Sequence, residues 1–263
     1  MYGNVIALSQ EAHAAKRFRP LSDYHFAQNQ VVIPVAANEL THIAARLPVV
    51  LMDSEQEGLR PLAVMGLDGE NNLLVGPDGR WLQDYVPAAI RRYPFVLARG
   101  GDHPEARPVV GIDQAADSLS DSEGEPLFTD GGEPGERLAG IMDLLRQLDT
   151  GSRALARAAR SLEAAGLVEA WEPRIEVAGR TRRLAGMKRV SETALNALDD
   201  ATFAGLRQDG ALALAYAQMF SMAQLPRLAR LAGARQKAAD RAVRQGGANG
   251  RTRDDEIAFN FDA

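Results

Sequence analysis

Residues 62–75 read Leu62-Ala-Val-Met-Gly-Leu-Asp-Gly-Glu-Asn-Asn-Leu-Leu-Val75, two apolar runs around a turn-forming centre, Asp68 to Asn72. Asp, Gly and Asn supply the local hydrogen bonds and left-handed φ angles that a turn needs, so the stretch predicts a hairpin. Hairpins join strands antiparallel, and that sets the reading of the whole N-terminal half. Upstream, Val31–Val35 predicts a strand whose Pro34 places it at an edge or a strand end, and Val49–Met52 predicts another. Asn38 is placed to cap a short helix over residues 39–46, with Leu40, Ile43 and Ala44 on one face. Downstream, Pro87 starts a short helix that ends near Arg92, and Pro94–Leu97 and Val109–Ile112 predict further strands. The first 30 residues read as an irregular, partly extended arm.

From Glu133 the period changes. Leu138, Ile141, Met142, Leu145 and Leu148 recur at helical spacing, and a second helix is expected over residues 152–165, ending before Gly166. Arg174–Val177 and Arg182–Met187 flank Ala178-Gly179, a hairpin pattern. Ser191 opens a helix, Asp199 or Asp200 caps the next, and a third runs from Gly210 to Leu225. Pro226 breaks or kinks it before a basic helix over 227–244. The fold class is therefore α+β: a mainly antiparallel sheet with short helices in the N-terminal half, and a helical C-terminal half with one hairpin. The expected regions are 1–132 (mixed α+β), 133–244 (mainly helical, hairpin near 174–187) and 245–263 (a Gly- and charge-rich disordered tail).

The 263 residues carry 30 Lys and Arg against 35 Asp and Glu and contain no Cys. That excludes a disulfide scaffold, a thiolate metal site and a cysteine nucleophile. Residues 1–150 have a net charge of −10 and residues 151–263 of +5. Phosphate contacts need Lys and Arg, so the acidic half argues against nucleic acid as a partner; the weaker alternative is DNA binding by the basic half, where Arg180, Arg182, Arg183, Lys188 and Arg189 around the 174–187 hairpin would contact phosphates. The longest apolar stretch, between Gly210 and Pro226, contains Gln218, Ser221 and Gln224 and is too short for a hydrocarbon core of about 30 Å. It reads as a buried core helix, and no transmembrane segment is expected. Glu11, Lys16, Arg17 and Arg19 interrupt any leader-like apolar run, so the expected location is cytoplasmic.

The usual chemistries find little support. No glycine-rich phosphate loop lies between a strand and a helix, and no GxSxG turn presents a serine. His13, His25, His42 and His103 are scattered, and the Asp102-His103 neighbour pair is weak evidence for acid–base work. Residues 113–136 hold eight acids and no Lys or Arg around Pro126-Leu127-Phe128, which reads as a solvated connector. Their spacing does not follow a calcium loop. No catalytic residue, metal or cofactor is therefore expected, and the balance leans away from an enzyme.

The segment densest in information is Gly79 to Phe95, which combines Trp81, Tyr85, Tyr93 and Phe95 with Arg91 and Arg92. Aromatics and Arg are the types enriched where proteins bind partners, and Arg forks onto carboxylate or phosphate. These six residues with Asp113 form the candidate ligand or partner site; the alternative is core aromatics with arginines paired to nearby acids. A second candidate is the tail. Ile257, Phe259 and Phe261 stand at alternate positions in a segment set among acids, a pattern that adds a strand to a sheet edge, in cis or in trans.

Several of these segments together resemble the SapC family of bacterial proteins. Met1-Tyr2-Gly3-Asn4-Val5, with Leu8 and His13, is similar to that family's start, as is Val32–Val35 followed by Ala37–Leu40. The most specific matches are Asn72-Leu73, Gly79-Arg80-Trp81, Tyr85–Ala88 and Arg91–Phe95. Gly111-Ile112-Asp113, Pro126–Phe128, Leu184–Met187, Leu195–Asp200 and Gly210–Tyr216 follow in order. The resemblance covers about residues 1–230. It implies association with surface-layer or envelope systems rather than an established reaction. The expected function is thus a non-enzymatic accessory protein working through a protein partner. The alternative is an enzyme, or its accessory subunit, acting on a peptide or small molecule near Arg91 and Asp113. The sequence leaves the oligomeric state open.

Overall fold

The computed structural model describes residues 1–55, 57–99, 108–246 and 256–258, the last three by backbone alone. It is α+β with antiparallel sheets, short helices in the N-terminal half and a long C-terminal helix, as the sequence reading anticipates. The chain forms two compact units, each assembled from two separated stretches: residues 1–27 with 75–151, and residues 28–74 with 152–263. They are interleaved along the sequence, whereas composition points to consecutive regions. Elements are numbered along the chain.

In the first unit, β1 (Val5–Ala7), β7 (Pro108–Asp113) and β6 (Phe95–Arg99) form one antiparallel sheet in the order β1-β7-β6. A second, smaller sheet places β2 (Arg17–Phe18) between β8 (Leu119–Ser120) and β9 (Glu125–Pro126). Helix α1 (Gln10–His13) is capped by Ser9, whose hydroxyl accepts from Ala12 N. Helix α3 (Ala88–Arg91) starts after Pro87, as expected. The core joins Phe18, Phe95, Ile112, Leu127, Leu138 and Leu145. Within the acidic stretch, residues 121–126 and 129–131 are exposed and Leu127 between them is fully buried, so the island at 126–128 ties the connector down.

In the second unit, five strands run in the order β10-β13-β4-β5-β3: Val168–Trp171, Met187–Val190, Val49–Ser54, Gly58–Val64 and Val32–Pro34. Pro34 is on the edge strand, where its missing N–H costs no ladder bond. The hairpin expected over 62–75 does not form. Instead β5 pairs with the preceding β4, from Val49 opposite Ala63 to Ser54 opposite Gly58, and on its other side with β3. Residues 68–72 instead make a loop closed on itself: Asp68 Oδ1 accepts from the backbone N of Glu70 (3.0 Å) and Asn71 (2.7 Å). An acid that turns the chain locally is a turn signal, not proof that the flanking runs pair.

Two helix readings are corrected as well. Asn38 is no cap: a 3₁₀ turn, Ala37–Glu39, leads directly into α2 (Leu40–Ala44). The two helices expected from 133 to 165 are one, α4 (Glu136–Ala164), which runs through Gly151. One glycine costs a helix about 1 kcal/mol, less than the many buried leucines and alanines of this helix return. Beyond it, α5 (Glu192–Asn196), α6 (Asp200–Gln208), α7 (Ala211–Ser221) and α8 (Leu225–Gly246) follow. Asp199 caps α6 through Ala201 N and Thr202 N. A 3₁₀ turn, Met222–Gln224, separates α7 from α8, and Pro226 falls in the first turn of α8, where its lack of an N–H is harmless.

The polar residues inside apolar α7 have a specific task. Val190 N donates to Gln218 Oε1 (3.0 Å) and Gln218 Nε2 donates to Val49 O (3.3 Å). Val49 N donates to Ser221 Oγ (2.9 Å). Strands β13 and β4 share a single register pair, Lys188 with Leu51, so Gln218 completes by side chain what the ladder leaves open.

The hairpin expected at 174–187 is present as β11 (Arg174–Val177) and β12 (Arg180–Ala185), turned by Ala178 (φ 53°) and Gly179 (φ 82°). Two positive φ angles define the turn whose twist matches that of the strands. A final strand, β14 (Glu256–Ala258), lies parallel to β12. Ile175, Val177 and Leu184 bury into a core shared with Leu228 and Ala232 of α8. No described helix is long and apolar enough to cross a membrane.

Candidate functional site

The candidate residues of the 79–95 segment all fall in the first unit, where they separate by role. Phe95 is fully buried and meets Phe18 edge-on at 5.4 Å. Tyr93 is 7% exposed and Asp113 1%. Asp113 accepts from the backbone N of Gly3 (2.8 Å), Asn4 (2.9 Å) and Ala115 (3.1 Å), and Tyr93 Oη stands 3.5 Å from it. Burial pushes the Asp113 carboxyl up, but those four donors more than offset it, so it titrates below the ordinary aspartate value. Burial, then the adjacent Asp113 charge, pushes the Tyr93 phenol up to about 12. These three residues hold the chain's N-terminus against β6 and β7.

Trp81, Tyr85 and Arg91 lie further out. Trp81 Nε1 donates to Tyr85 O (2.8 Å), and the Arg91 guanidinium lies 5.7 Å from the Tyr85 ring centre while Arg91 Nε donates to Val86 O (2.9 Å). Arg92 lies 6.0 Å from the Tyr2 ring. Tyr2 Oη in turn donates to Phe95 O (3.0 Å).

Three aromatics that the sequence did not single out connect these groups. Trp81 meets Tyr24 at 5.6 Å, Tyr24 meets Phe26 at 6.0 Å, Phe26 stacks on Tyr93 at 3.9 Å, and Tyr93 meets Tyr2 at 5.6 Å. The result is a continuous ladder of five rings. Beside it opens a cleft of about 520 Å³, lined by Asp23, His25, Phe26, Tyr93, Asp117 and Ser118 among others.

Asp23 and His25 form a pair there. Asp23 Oδ1 accepts from His25 N (2.7 Å) and faces His25 Nδ1 at 2.8 Å. The hydrogen bond to Asp23 raises the His25 pKa, and the same contacts, backbone first, lower that of Asp23. Gly79 makes room for the pair: a Cβ there would lie 2.6 Å from Asp23 Oδ1 and 2.7 Å from His25 Nδ1, at a φ of +76°. The Asp-x-His spacing was the available signal. A carboxylate–imidazole pair in a polar cleft can exchange a proton with a small polar ligand. His103 lies outside the described residues. Among the described residues no cluster of three or more His, Asp or Glu is placed to hold a metal.

The second unit carries the larger concavity, a groove of about 840 Å³ between the β11–β12 hairpin and the start of α8. Ile175, Met222, Leu225 and Ala229 form its apolar part, and Arg174, Arg230 and Lys237 lie along it with one acid, Glu176. Sequence reading did not single out these lining residues, because they come from a hairpin and a helix about fifty positions apart. Of the tail candidates, Ile257 lies in β14, and Phe259 and Phe261 fall outside the described residues.

Fold and surfaces together define an α+β protein of antiparallel sheets with one polar cleft and one apolar, basic-edged groove. Residues 8–228 match the family model described as SapC, and the chain belongs to the SapC family. No curated protein and no solved structure gives a significant match.

Proposed function

We propose that this SapC-family chain is a non-enzymatic accessory protein of a bacterial surface-layer or envelope system, and that it works by holding a segment of a partner polypeptide. The supporting observation is the groove between the β11–β12 hairpin and α8. It offers apolar side chains for burial and three cations against one acid, so its complement is a polypeptide segment carrying apolar residues and a net negative charge. The 81–95 segment contributes the frame of the first unit in this reading, because Trp81 and Arg91 donate to backbone carbonyls, Tyr93 faces Asp113 and Phe95 is core.

The test is affinity capture with the full-length protein, compared with Ala234→Trp, which fills the groove from an exposed position. Loss of one or two partners from the variant, with an unchanged thermal midpoint, is the expected result. Equal recovery of every partner overturns the groove assignment. It moves the search to the cleft beside Asp23 and His25, where an enzyme or enzyme subunit handling a small molecule becomes the better reading.

A further inference from the structure

The β11–β12 hairpin has a second feature that is independent of the groove. Strand β12 is paired on one side with β11 and on the other with β14, in parallel register: Arg183 opposite Glu256, Leu184 opposite Ile257, Ala185 opposite Ala258. Without β14, that side of β12 is a sheet edge, with unpaired N–H and C=O groups that template the addition of another strand. The edge is firmly based, because Leu184 is fully buried against the core that includes Leu228 and Ala232.

The chemistry of the two strands is complementary. β12 carries Arg180, Arg182 and Arg183, the last ion-paired with Glu172 at 2.9 Å, and in the sequence Asp254 and Asp255, themselves preceded by Arg251 and Arg253, come immediately before Glu256. In the described register the residue ahead of the Leu184–Ile257 pair is basic in β12 and acidic in β14. A lone three-residue strand is a marginal pairing. A covalently linked strand has a high effective concentration at such an edge.

We infer that the edge of β12 is an acceptor for an extended polypeptide bearing acids followed by apolar residues, and that the chain's own C-terminal segment occupies it as an intramolecular competitor. The partner is a segment of another protein with that acid-then-apolar pattern; it gains the site by displacing Glu256–Ala258. Backbone pairing supplies affinity, and the arginines of β12 select for acids. The tail thereby sets a threshold, since apparent affinity falls with the fraction of molecules in which the edge is open.

The test uses full-length protein and a labelled synthetic peptide of residues 251–263, followed by fluorescence anisotropy. The double variant Glu256→Lys/Ile257→Pro disables the resident strand, since Pro lacks the N–H and Lys opposes Arg183. It should bind the peptide about tenfold more tightly than wild type. Adding Arg180→Glu and Arg182→Glu should abolish that gain, and raising the salt should weaken binding. Equal affinity of wild type and the double variant overturns the inference, as does equal binding of a scrambled peptide. A concentration-dependent dimer of the double variant with no peptide site also overturns it, in favour of contact between copies. The Ala234→Trp groove variant should keep its peptide binding, so failure of the groove reading and failure of this one are distinguishable.

Discussion

The 81–95 segment and the hairpin–α8 groove both combine apolar side chains with cations, aromatic in the first and aliphatic in the second, yet the fold treats them differently. In the first, Trp81 and Arg91 donate to backbone carbonyls, Tyr93 faces Asp113, and Phe95 is core. In the second, Arg174, Arg230 and Lys237 line an open concavity beside Ile175 and Leu225. Aromatics and arginines mark a binding surface only where the fold has not already used their surfaces and hydrogen bonds. Which case applies depends on the neighbours a residue meets in space.

That contrast is sharpest in stability. Phe95→Ala should cost about 3–5 kcal/mol, read from the denaturant midpoint, because it empties a fully buried ring site. Ala234→Trp, on the groove, should leave the midpoint within about 0.5 kcal/mol. Similar losses in both variants would break the distinction between a frame and a surface.

The next effect is in pH. Asp113 is held below its unfolded pKa, so its stabilising contribution is present above about pH 4 and is lost as pH falls through the folded value. Tyr93 is held above its unfolded pKa. Its contribution is present below about pH 10 and is lost as pH rises toward about 12. Asp113→Asn should flatten the acid limb of a stability–pH curve, and Tyr93→Phe the alkaline limb. An acid limb unaltered in Asp113→Asn would show that the anchor of the N-terminus lies elsewhere.

The smallest effect belongs to the hairpin. Ala178 adopts φ 53°, which Asn tolerates better, and Asn-Gly is the preferred pair for this turn. Ala178→Asn should therefore gain about 0.5–1 kcal/mol. An unchanged midpoint would mean that the turn beside the groove is not strained.

Much of the fold was legible along the chain. Pro34 marked an edge strand, Pro87 a helix start, Asp199 a cap and Ala178-Gly179 a hairpin, each through an interaction within a few residues. Two of the misreadings share a cause. The loop at 68–72 and Gly151 carry local turn and breaker signals, but the pairing of β5 with β3 and β4 and the burial of α4 outweigh them. For the candidate site, Tyr93 and Asp113 meet at 3.5 Å, whereas Tyr2, Tyr24, Phe26 and His25, which also meet this region, were not among the candidates. They reach the segment from 50 or more residues away, and only the Asp23-x-His25 spacing hinted at a pair.

The sequence by itself determined the fold class, the short-range turns and caps, and the family, because these depend on residue type at fixed spacing. Tertiary structure alone decided that the chain interleaves into two units, that Gln218 stitches β13 to β4, and that a groove lies between the hairpin and α8. Those features join residues far apart in the chain, and their free energy comes from burial and hydrogen bonds that exist only once the distant segments have met.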